Sequence, residues 1–140
     1  MKIISFGDIH EDTSNLIKIK PDLETADLIV LSGDLTNCHG KTETKKVLDA
    51  IKKYNKHLLA QYGNMDIQEA DSYLSEESIN LHGNGYIFGD VGIFGCGASS
   101  LTPFHTPSEI SEADIERLLI NGYNKVKRCK VEDYGLSYPP

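Results

Sequence analysis

Leu28-Ile29-Val30-Leu31-Ser32-Gly33-Asp34-Leu35-Thr36-Asn37 decides the fold class. Four consecutive apolar residues without alternation read as a strand covered on both faces, which points to a parallel sheet. The Gly-Asp that follows ends the strand in a loop carrying a carboxylate. The same pattern recurs on both sides. Lys2 to Phe6 is a β-rich run that stops at Gly7-Asp8-Ile9-His10, and His57 to Tyr62 is a third run that stops at Gly63-Asn64-Met65-Asp66.

The segments between these runs read as helices. Asn15 to Ile19 predicts a short one closed by Pro21, because proline disfavours helix in the residue before it. From about Glu43 to Asn55, the residues Val47, Leu48, Ile51 and Tyr54 fall on one helical face. The order β-loop-α-β-loop-α-β predicts an α/β fold with crossover helices over a parallel sheet. Beyond the third motif, Ile67 to Leu74 reads as a short helix. Gly89-Asp90 reads as the turn of a hairpin between Tyr86-Ile87-Phe88 and Val91-Gly92-Ile93-Phe94. Gly95 to Ser100 reads as flexible, and Pro103 and Pro107 mark an irregular loop around Phe104 and His105. The last helix starts at Ser111 as N-cap with Asp114 three residues on, stapled by Ile110 on Ile115. Its expected buried face is Ile115, Leu118, Leu119 and Val126, with Gly122 a weak point in it.

The 140 residues form a single domain by the usual size prior. With 21 acids against 14 bases the surface repels a phosphate backbone, so no general nucleic-acid binding is expected. No stretch approaches the roughly 20 apolar residues that span a bilayer, so no membrane association is expected. Cys38, Cys96 and Cys129 are odd in number and widely spaced; they read as small core or loop residues of a protein in a reducing cytoplasm.

In an open parallel sheet, ligand groups gather at the carboxyl ends of the strands. Asp8, His10, Asp34 and Asn64 all lie there on this reading. Mixed carboxylate, imidazole and amide donors suit Mn, Fe, Zn or Ni better than Ca. Two such ions about 3.5 Å apart activate a bridging water and clamp phosphoryl oxygens.

The ordered set Asp8-x-His10, Gly33-Asp34-x-x-Asn37 and Gly63-Asn64-x-Asp66 resembles the opening half of the calcineurin-like metallophosphoesterases, from Met1 to about Lys130. The Gly89-Asp90 hairpin and the Thr102-Pro103-Phe104 loop resemble a small prokaryotic branch. The likeness implies a layered α/β sandwich and hydrolysis of phosphodiesters or phosphomonoesters by a metal-activated water. It implies Asp8 and His10 on a first metal, Asp34 as the bridge and Asn64 on the second. Asp66 would orient the third motif, and Asn37 would stand behind the ligands.

Two departures qualify it. Many members carry His where this chain has Met65, so leaving-group protonation falls to solvent or another residue. The family's later His and its Gly-His-x-His motif are absent; Ser137, two residues before Pro139, takes the place of the former. Of the possible substitutes, His57 opens a strand at the wrong end and His82 sits in a Gly-rich turn as a solvated side chain, while His39 and His105 lie in loops that could approach the site. The expectation is a domain truncated after roughly its first two-thirds, lacking the last strands, weak or inactive alone, and prone to dimerise through an exposed sheet edge or an exchanged segment. The alternative is a degenerate, non-catalytic metal-binding or interaction module. Aspartyl-nucleophile phosphatases are set aside because His10 stands where they need a second Asp; no P-loop or dinucleotide fingerprint occurs.

Overall fold

The computed structural model describes residues 1–127. Its centre is a parallel sheet of strands β1 (Ile3–Phe6), β2 (Leu28–Leu31) and β3 (Leu58–Ala60), in the order β1-β2-β3. The register pairs Ile4 with Ile29 and Leu31 with Ala60. Side chains alternate across a strand, so the unbroken apolar run of β2 feeds two cores. Ile29 and Leu31 face the first core with Leu58 and Ala60, whereas Leu28 and Leu59 face a second one on the other side.

Helices fill the first core. A 3-10 helix (Ser14–Ile19) runs directly into α1 (Lys20–Thr25), and α2 (Lys41–Lys52) and α3 (Gln68–Glu76) follow. They bury Leu16, Leu23, Val47, Leu48, Ile51, Ala70 and Leu74 against the sheet. Of the face expected for α2, Val47, Leu48 and Ile51 are buried, with Thr44 added; the helix ends at Lys52, so Tyr54 packs on the core from the turn beyond it. Pro21 does not close a helix. It stands in the first turn of α1, where the N–H it lacks would have had no helical partner.

The second core is capped by a hairpin of β4 (Asn84–Phe88) and β5 (Val91–Gly95), joined by Gly89-Asp90 as the sequence predicts. Gly89 adopts φ 59°, the left-handed geometry such a turn demands. Tyr86, Phe88 and Ile93 point to the parallel sheet. The opposite face of the hairpin receives α4 (Glu112–Val126). The result is four layers: helices, parallel sheet, hairpin, helix. That is the layered α/β sandwich expected.

Gly122 proves to be the point of closest approach between α4 and the hairpin and not a weak point. A Cβ there would lie 2.7 Å from the Asn84 carbonyl oxygen and 3.0 Å from Phe94 Cβ. The face of α4 toward the hairpin is Leu118, Gly122 and Val126, one turn apart each, and Leu119 is exposed instead of buried. Ser111 caps α4 as predicted, accepting a hydrogen bond from the Asp114 N–H.

Gly95 to Ser100 is not free loop. Strand β6 (Ser99–Ser100) pairs in parallel with β7 (Glu109–Ile110), and the intervening loop is tied by one carboxylate. Glu109 Oε1 accepts from Thr102 Oγ1 (2.6 Å), Thr106 N (2.8 Å) and Thr106 Oγ1 (2.8 Å), and Oε2 accepts from Thr102 N (3.0 Å). These donors, the Thr102 hydroxyl foremost, hold the Glu109 carboxyl down from its ordinary 4.5 to about 2. A depressed carboxyl contributes order above its unfolded pKa and loses it as pH falls through the folded one. The loop is therefore expected to stay ordered at neutral pH and to loosen between pH 4.5 and about 2, read from the Thr102 and Thr106 amide NMR signals. A loop that loosened on raising pH above 4.5 would contradict this assignment.

Candidate metal centre

The loops after β1, β2 and β3 continue to pair beyond the strands. Asp8 N donates to Gly33 O (3.1 Å), Ile9 N and His10 N both donate to Asp34 O (2.9 and 3.0 Å), and Glu11 N donates to Leu35 O (2.9 Å). Cys38 N reaches Met65 O at 2.9 Å, which joins the second loop to the third. The glycines before Asp34 and Asn64 follow from this crowding. A Cβ on Gly33 would come within 2.9 Å of Gly63 N, and a Cβ on Gly63 would overlap the Asp34 carboxylate. Asp8 (φ 51°), His10 (φ 47°), Glu11 (φ 67°) and Asp34 (φ 50°) all sit in the left-handed region. Such conformations cost about 1–2 kcal/mol for a residue with a Cβ and gather at functional sites.

This strained backbone brings three side chains together. Ligand atoms of Asp8, His10 and Asp34 all lie within 4.8 Å of one another. His10 Nε2 is 3.8 Å from Asp34 Oδ2 and 4.0 Å from Asp8 Oδ1, beyond hydrogen-bond reach. His10 Nδ1 is buried and has no partner at all. An imidazole held between two carboxylates with neither nitrogen satisfied is an unusual arrangement for a closed polar cluster. It fits a divalent cation, which takes an imidazole nitrogen and carboxylate oxygens together. Burial pushes the Asp34 carboxyl up from its ordinary value; the Met65 N–H pulls it down, while the carboxylates of Asp66 and Asp8 push it further up. The Asp8 side chain is 85% exposed against 13% for Asp34, so the group opens to solvent at Asp8.

Asp66 is fully buried and stands behind this group. Its Oδ2 accepts from Leu35 N (3.0 Å) and Gly63 N (2.8 Å), and its Oδ1 accepts from Thr36 N (2.7 Å) and Thr36 Oγ1 (2.8 Å). It thus locks the second loop to the third. Asn37 does the same for the first and second, its Nδ2 donating to His10 O at 2.9 Å. Met65 contributes through its backbone, donating N–H to Asp34 Oδ1 at 3.0 Å. Asn64 follows Gly63 at the end of β3; its carbonyl accepts from Ser108 N (3.0 Å), and its side-chain amide makes no hydrogen bond with the described residues.

The other histidines are occupied elsewhere. His39 Nδ1 pairs with Glu11 Oε1, and that hydrogen bond pushes His39 up. The Asn37 N–H and then His39 hold Glu11 down. His57 is exposed at the opposite end of β3, and His105 is exposed in the loop tied by Glu109. His82 is not the solvated side chain expected. It is half-buried, edge-on to Tyr62 with ring centres 4.9 Å apart, and its Nδ1 accepts the Gly97 N–H at 3.1 Å. Burial pushes it down. The Glu11–His39 pair and the Ser108 anchor went unread in the sequence, since each joins residues far apart in the chain. Cys38 and Cys96 are free thiols, whereas Cys129 and Ser137 lie outside the described residues.

The layered sandwich thus sets an Asp-His-Asp group able to hold a metal ion at the strand ends of an α/β sheet. The calcineurin-like phosphoesterase family profile matches residues 1–127, and the chain belongs to that family. It is also similar to an uncharacterized protein of Methanocaldococcus jannaschii, with 29% identity over 138 residues that cover 99% of this chain and 62% of the relative. The chain thus spans about three-fifths of the length of that relative. Among the described residues no helix is long and apolar enough to cross a membrane.

Proposed function

We propose that the chain is a metal-dependent phosphoesterase whose ions are held by Asp8, His10, Asp34 and Asn64. The observation that carries this reading is the His10 ring, unpaired at Nδ1 and set between the Asp8 and Asp34 carboxylates. When bound, divalent ions such as Mn, Fe, Zn or Ni supply an acidified water and neutralise phosphoryl charge. The chain's own part is to fix the ligands through Asp66 and Asn37 and to present them at the exposed Asp8 side. Met65 offers no titratable proton at the place where many relatives carry His. Esters whose alcohol leaves readily without protonation are therefore the favoured substrates, diesters and monoesters alike.

The test is hydrolysis of bis(p-nitrophenyl) phosphate by the metal-stripped protein before and after adding manganese. Manganese-dependent turnover, abolished by a chelator, is the expected result. A rate at background at every metal concentration would remove the enzyme reading. The second reading, a metal-binding module without catalysis, draws on Met65, which stands where many relatives carry a proton-donating His. It is favoured if manganese binds and no ester is cleaved.

A further inference from the structure

A cleft of about 310 Å³ begins at Gly7 and Asp8 and runs along the 3-10 helix. That helix shapes it. With three residues per turn, side chains at i and i+3 eclipse, so Ser14–Ile19 presents two straight rows. Leu16 and Ile19 form an apolar row, which Phe6 and Ile9 extend from β1 and its loop. Asn15 and Lys18 form a polar row beside it, and neither side chain has a hydrogen bond or ion pair among the described residues. Asp12 at the rim is already engaged, accepting from Ser14 N at 3.0 Å. A fully α-helical turn would have splayed these rows apart.

We propose that this cleft receives the ester group of the substrate: a compact, ring-sized apolar moiety whose edge carries a hydrogen-bond acceptor. The apolar row takes the ring, and Asn15 and Lys18 donate to its edge. The volume sits at the small end of ligand pockets, which admits one ring and not a polymer. The position fits because the cleft and the candidate metal group share Asp8, whose side chain is exposed. The inference rests on the phosphoesterase reading, since it assumes that a phosphoryl group docks at Asp8.

The experiment compares methylphosphonate with phenylphosphonate as ligands of the zinc-loaded protein, by calorimetry and by methyl NMR. Phenylphosphonate is expected to bind about tenfold tighter, from partial burial of one ring, and to shift the Leu16 and Ile19 methyl signals. Ile19→Asp should erase that preference, read as the ratio of the two affinities because the added charge weakens both phosphonates alike. Ile17→Asp, on the same helix but outside the cleft, should retain it. Equal binding of both phosphonates by the wild type, or a preference that survives Ile19→Asp, overturns the cleft and spares the phosphoesterase reading. Binding of neither phosphonate overturns both.

Discussion

Asp66→Ala is expected to lower the thermal midpoint by about 10–15 °C, although Asp66 belongs to no regular element and is not one of the metal-site ligands. The substitution strands the N–H groups of Leu35, Thr36 and Gly63 in a buried site, while the Thr36 hydroxyl keeps the His39 carbonyl as an acceptor at 3.0 Å. Each unsatisfied donor costs about 1–3 kcal/mol, and partial relaxation brings the total to about 3–5 kcal/mol. That is a large share of the roughly 5–15 kcal/mol that holds an ordinary domain together. Asp66→Asn keeps an oxygen for Thr36 but turns an amide toward Leu35 or Gly63, and should cost about 1–3 kcal/mol. Circular dichroism melts of both variants check the order. A shift below about 3 °C for the alanine variant would mean that water or another acceptor replaces the carboxylate. Metal affinity should fall with stability, because the bonds lost are the ones that fix the second and third loops to each other.

The layout of the sheet was legible because it rests on local signals. Four adjacent apolar residues at Leu28–Leu31, too short a run for a helix and followed by Gly33, read as a strand covered twice, and the two cores on either side of β2 bear that out. The hairpin was legible for the same reason, since Gly89-Asp90 fixes a turn from two residues. The Asp8, His10 and Asp34 group could be read from strand ends alone, because a parallel sheet delivers its loops to one edge.

What escaped the sequence depends on side-chain and packing partners that no periodicity marks. Pro21 reads as a stop for the preceding residue, whereas Lys20 is helical and Pro21 falls in the first turn of α1, directly after the 3-10 helix ends at Ile19. Gly122 was read by helix propensity, whereas its role is set by the Asn84 carbonyl packed against it. The order of residues 99–110 comes from Glu109, which reaches back to Thr102 and Thr106, a pairing that no periodicity announces. His82 was read from its glycine neighbour, and Tyr62 and Gly97 enclose it instead.

The second large effect is expected at Asp34, and it has opposite signs for metal binding and for stability. Asp34→Asn removes a charged oxygen donor from the group shared with Asp8 and His10. Changing residues that merely support metal ligands costs about 10–100-fold in affinity, so losing a ligand's charge should cost at least about 100-fold. Titration with manganese, followed by calorimetry, gives that number. The metal-free variant, by contrast, should melt at or above the wild-type temperature. Asparagine keeps an oxygen for the Met65 N–H, and it relieves a carboxylate that burial and the neighbouring acids hold above its ordinary 3.8. The sign can be checked against pH. A carboxyl raised in the folded state favours folding below its unfolded pKa, and that benefit is lost as pH rises through the folded pKa. The advantage of the variant should therefore be present at neutral pH and shrink as acid neutralises Asp34 toward pH 3.8. Adding manganese should reverse the ranking, because the wild type then gains more binding energy in the folded state than the variant. A variant that bound manganese like the wild type would remove Asp34 from the metal centre. One that melted well below the wild type without metal would make its carboxylate a structural acceptor instead.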